Sequence, residues 1–122
     1  MLTIRRAQME VFEAHMLRQF ETQVLRNIAR RCPVEFKEKG EEATRVLIRA
    51  GIQKAEQYGI EEKPDIERVA YLVFDRGPDF EKPEHMAWCR EILEDKELPG
   101  DAKVALVYDE LESQERAEDL EE

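Results

Sequence analysis

Residues 74–89, FDRGPDFEKPEHMAWC, concentrate the side chains best able to do chemistry: four acids, His85, the only tryptophan and Cys89. Asp75, Asp79 and Glu81 alternate as in a calcium loop, which needs a bidentate Glu at its twelfth position. Counted from Asp75 that position is Met86, and Pro78 breaks the run, so the spacing excludes the loop. His85 and Cys89 stand four apart and could share a metal, but zinc needs three or four ligands. The remaining His and Cys, His15 and Cys32, lie far away in the chain, with no CxxC or HExxH pattern to support them. A nucleophile fares no better: the only serine is Ser113 in an acidic stretch, and neither GxSxG, GxGxxG nor a P-loop is present. The expectation is a non-enzymatic chain with no metal and no cofactor. A metal-dependent enzyme using His15, His85 and Cys89 stands as an alternative.

The aromatics of the same stretch have two readings. Trp88 can pack in the core with its indole N–H hydrogen-bonded, or Trp88 and Phe80 can anchor a partner at the rim. The second reading makes Asp79, Phe80 and Glu81 an acidic tip for a basic protein surface.

Helices must position these residues. Positions 5–32 lack Gly and Pro. Met9, Phe12, Met16, Phe20, Val24 and Ile28 recur there every three or four residues, which predicts one helix. At 1.5 Å per residue it would span roughly 42 Å, more than so small a bundle needs. Its end, with Met9 and Phe12, is therefore expected to act as a docking arm. PVEFKEKG at 33–40 reads as a polar connector anchored by Phe36. A second helix follows over 41–58, with Ala43, Val46, Leu47, Ala50 and Gly51 as a narrow face that lets another helix come close. Gly59 is placed as a left-handed stop with Ile60 packing behind it. Asp65 suits the N-cap of a third helix, 66–75, apolar nearly all round and so central. Pro83 opens a fourth, 84–94. A fifth starts near Asp101 with Ala102, Ala105, Leu106, Tyr108 and Leu111 inward. The fold expected is all-α: a single compact bundle of about five helices over 1–112, with a frayed acidic tail at 113–122.

Composition supports this frame. The 122 residues are one domain's worth. Charged residues make up 39% and hydrophobic ones 42%, a balance typical of helices with one buried stripe. No apolar run reaches membrane-spanning length and no signal peptide is visible, so a cytoplasmic protein is expected, with both cysteines as thiols. The net charge is −10 and unevenly spread. Residues 1–39 hold eight basic against five acidic residues, +3, and residues 40–122 hold eleven against twenty-four, −13. Such a surface repels phosphate backbones and favours basic proteins. The basic patch of Arg18, Arg26, Arg30 and Arg31 lacks neighbouring aromatics in sequence to stack bases, so nucleic acid is not expected as a partner.

The order of several short motifs adds a resemblance. YGI at 58–60, GPDF at 77–80, Trp88 with Ile92 and Leu93, Leu98, LVYDE at 106–110 and the opening LTIRRAQMEVFE together resemble small helical proteins encoded in bacterial type VI secretion clusters, beside spike, PAAR and effector genes. The resemblance covers nearly the whole chain and carries over no catalytic residue. It implies an accessory to a secreted effector or spike component, either a chaperone or adaptor or an immunity protein neutralising a toxin.

Overall fold

The computed structural model describes the backbone from Arg6 to Glu121 and the side chains of residues 14–119. It is all-α, with no strand among the described residues. Six α-helices follow in order: α1 (Arg6–Arg31), α2 (Pro33–Lys39), α3 (Glu41–Gln57), α4 (Lys63–Arg76), α5 (Ala87–Glu94) and α6 (Gly100–Glu121), with a 3-10 turn at Glu84–Met86 before α5. None of the described helices is long and apolar enough to cross a membrane.

The helix beyond the expected five is α2. Pro33 ends α1 but also starts α2, because a residue without an N–H costs nothing in a first turn. Glu35 near its start and Lys37 and Lys39 near its end suit the helix dipole. Phe36 packs half-buried, as an anchor, against the cluster that contains Val24, Leu25, Ile28, Ile48, Ala70 and Phe74. Gly59, at φ 71°, closes α3 as a left-handed cap. The Ile60 N–H reaches back to Ala55 O at 2.8 Å, and Ile60 is buried behind it. Helix α4 starts earlier than expected: Glu62, not Asp65, occupies the cap position, and Asp65 lies in the first turn.

Helix α4 is the central element. Its Val69, Leu72 and Val73 join a cluster with Ala55, Ile60, Phe80, Met86, Cys89, Leu93, Val104, Val107 and Leu111. Its Ala70 and Phe74 join a second cluster with Val24, Leu25, Ile28 and Ile48. The close approach expected at Gly51 is present: a Cβ there would meet the Ala70 Cα at 2.6 Å, so α3 and α4 touch backbone to backbone.

Two buried faces match those expected only in part: Leu47, Ala50, Gly51, Tyr108 and Leu111 do meet the core, but the rest differ. On α3 the interior positions are Thr44, Ile48, Gly51, Lys54 and Ala55, whereas Ala43 is exposed and Val46 is 59% exposed. On α6 they are Lys103, Val104, Val107 and Leu111, whereas Ala105 and Leu106 face outward. Both faces are turned by about one residue because they run through polar side chains that find partners inside. Thr44 Oγ1 donates to Gly40 O at 2.8 Å, and Lys103 Nζ donates to Tyr58 O at 2.8 Å, capping the end of α3. The acidic stretch 113–121, expected to fray, continues α6 as helix, with its described side chains exposed.

Candidate functional site

The expected acidic tip does not form. Asp79 is exposed, but Phe80 and Glu81 turn inward and are 5% and 1% exposed. Lys54 explains the inversion. Its Nζ lies 2.5 Å from Glu81 Oε2, and Tyr58 Oη donates to the same oxygen at 2.8 Å. The ammonium also sits over the Phe80 ring, 5.6 Å from its centroid. Burial by itself pushes the Glu81 carboxyl up, but hydrogen bonds from Lys54, Tyr58 and its own backbone N–H hold it below its ordinary value. Arg90 Nη1 then gathers the carbonyls of Glu81, Lys82 and Pro83 at 2.7, 2.7 and 3.0 Å, fixing the turn from outside. Phe80 and Glu81 thus hold the corner together and offer no contact surface.

Trp88 packs half-buried against the main cluster, and its buried indole N–H finds, among the described residues, none of the hydrogen bonds expected of a core tryptophan. Met9 and Phe12 lie outside the described side chains. The metal candidates are not gathered: His15 and His85 are exposed, and Cys89 is wholly buried with its thiol pushed up to about 11, chiefly by burial. Among the described residues no three His, Cys, Asp or Glu side chains come together to hold a metal.

A different surface carries an apolar cavity. Helices α1 and α6 both pack on α4, with α2 held on α1 and α3 and reaching α4 through the Lys39 side chain, and among the described residues neither α1 nor α2 comes close to α6, leaving a groove with α4 as its floor. The groove encloses about 450 Å³, within the usual size range of binding sites. Tyr71, Leu72 and Phe74 of α4, with Ile28, Tyr108 and Leu111, supply its apolar lining. Two tyrosines are pinned so that their hydroxyls point away from it. Tyr71 Oη donates to Glu67, and Tyr108 Oη donates to Arg68 O at 2.7 Å. Burial, with the Glu67 bond added for Tyr71, pushes both hydroxyls up to about 12.

Charges line the rim. Arg31 lies over the Tyr71 ring at 5.3 Å and Lys39 over the Phe74 ring at 5.4 Å. Arg76 reaches Glu115 of α6 at 3.8 Å, a long and exposed pair. Cys32 stands half-buried on the α1–α2 side.

The chain matches no family model, no curated protein and no solved structure. Function must therefore be argued from the groove itself.

A second polar anchor holds α1 in place to form that groove. Glu21 is buried between Arg45 Nη1 at 2.7 Å and Arg49 Nε at 2.5 Å, both from α3. Burial opposes its charge, but the two guanidinium hydrogen bonds win and lower its pKa. Sequence reasoning missed the groove because its lining comes from four separated helices. The one local signal is that Tyr71 and Phe74 sit on α4 outside the Val69–Val73 stripe.

Proposed function

We propose that this chain is a non-enzymatic protein-binding accessory, a chaperone or adaptor for a type VI secretion effector or spike component, and that it docks its partner in the α4-floored groove. The observation that carries the docking claim is an apolar, aromatic-lined groove bordered on both sides by helices that, among the described residues, do not meet. Aromatic side chains held rigid in this way are strong anchors for a partner, because little rotamer entropy remains to be lost on binding. The link to type VI secretion rests on the sequence motifs, and the place of action is the bacterial cytoplasm, before export.

The net charge of −10 favours a partner with a basic face and speeds encounter through long-range attraction. The partner is to be sought among products of the neighbouring spike and effector genes. Co-expression with each should yield a complex that co-purifies at low salt and weakens as salt rises. Absence of any complex at low salt would sink the proposal.

A further inference from the structure

We infer that the occupant of the groove is an amphipathic α-helix of another protein, with acidic residues along one flank, set against Arg31 and Lys39, and basic residues along the other, set against Glu112 and Glu115. The inference rests on the docking reading above and specifies its partner.

Backbone chemistry selects a helix. Floor and walls are themselves helices, whose N–H and C=O groups are mostly used in their own ladders, and no strand edge exists among the described residues. An extended peptide laid there would bury N–H and C=O groups with few partners, at a cost for each. A helix arrives with those groups already paired and offers only side chains, the helix-in-groove mode of recognition.

Length sets how much helix fits. On α6 the lining runs from Tyr108 to Glu115, roughly 10 Å at 1.5 Å per residue, which is about two turns. Two turns present anchors at i, i+3 or i+4, and i+7 to the apolar floor.

The rim charges then fix which helix. On the α1–α2 wall Arg31 and Lys39 are stacked on aromatic rings, and neither has a carboxylate within 4.0 Å among the described side chains. Glu35 shares that wall without pairing to them, leaving it +1. The α6 wall carries Glu112 and Glu115, −2, with Glu115 only loosely met by Arg76. The groove is therefore polarised across its width. A helix with uniformly charged flanks meets repulsion on one side in either direction of docking, whereas a helix with split flanks finds one direction in which both sides attract. Charge thus sets the partner's polarity as well as its composition.

The test uses three side-chain-stapled helical peptides with the same three leucine anchors: one with acidic and basic flanks, one with both flanks acidic, one with both basic. Binding is read by fluorescence anisotropy at low salt. The wild-type chain should prefer the split peptide by on the order of tenfold, as expected for a few rim ion pairs together. Arg31→Glu with Lys39→Glu should shift the preference to the basic peptide, and Glu112→Lys with Glu115→Lys to the acidic one. All four residues are exposed, so the fold is not at stake. An unchanged ranking across the three proteins, or a wild-type preference for the basic peptide, overturns the inference while leaving groove docking intact. Binding of none of the peptides overturns both. Self-association of the wild type that the same charge reversals abolish would make a second copy the occupant, and would equally overturn it.

Discussion

Replacing Lys54 by Met should turn Glu81, the best-buried charge among the described residues, into a liability whose size and pH dependence both follow from the structure. Lys54 and Glu81 are 8% and 1% exposed and meet at 2.5 Å, with Tyr58 Oη as the only other side-chain donor to the carboxylate among the described residues. Lys54→Met leaves Glu81 buried without its cation, a loss of about 3–5 kcal/mol by analogy with other broken buried pairs. That is a large share of the roughly 5–15 kcal/mol that holds a domain together. Lys54→Met with Glu81→Leu removes both charges. It should return to within about 2 kcal/mol of wild type, the residue being the Tyr58 hydroxyl's lost acceptor and imperfect packing. The sign of the pH dependence separates the variants. In wild type Glu81 is held below its usual value of 4.5, so its contribution is present at neutral pH and disappears only as pH falls through the lowered folded value. In Lys54→Met desolvation prevails and raises the folded pKa above the unfolded one. The penalty is then smallest below the unfolded value and grows as pH rises through the folded one, so that variant alone should gain stability on going from neutral to mildly acidic pH. Urea unfolding at several pH values measures all of this. Additive effects of the two substitutions, or a loss in Lys54→Met below about 1 kcal/mol, would show that the pair is not in a dry interior.

Gly51→Ala should destabilise by about 1–3 kcal/mol despite alanine's better helix propensity, because the new methyl meets the Ala70 backbone at 2.6 Å; a lowered Tm in thermal melts checks it. The inward face of α3 is testable with a pair of variants. Ile48→Ala at a fully buried site should cost about 2–5 kcal/mol, while Val46→Lys at an exposed one should stay within about 0.5 kcal/mol. Tyrosine titration gives a separate check on packing. Tyr71 and Tyr108 are pushed up to about 12 and Tyr58 higher still, so the native protein near pH 11 should show little tyrosinate absorbance and the urea-unfolded chain nearly all of it.

How far the fold was legible in the sequence depended on the kind of signal. Gly59 followed by Ile60, Pro33 and the all-round apolar run of α4 are local statements about backbone, and each marks a helix end or the central helix correctly. The rotational phase of a helix is different, since it depends on which polar residues find partners inside. Thr44, Lys54 and Lys103 look like surface residues in sequence, yet each is buried with its polar atom bonded. Lys54 does lie on the stripe defined by Thr44, Ile48, Gly51 and Ala55, a periodic hint that a hydropathy reading discards. The acidic corner failed for the same reason, because Asp79, Phe80 and Glu81 read as a tip only until Lys54 is known to wait beneath them. The groove was not legible at all. It exists because α1 and α6 share α4 without coming close to each other among the described residues, which is a property of the assembled bundle.

The docking claim is tested most directly at Cys32, which stands half-buried in the groove wall while the only other thiol, Cys89, is wholly buried with its pKa pushed up to about 11. An exposed-thiol reagent should therefore modify one cysteine quickly in the native protein, and Cys32→Ser should remove that phase. In a complex with a partner docked as proposed, the Cys32 reaction should slow severalfold or more. A complex that forms while Cys32 reacts at the rate of the free protein would contradict it.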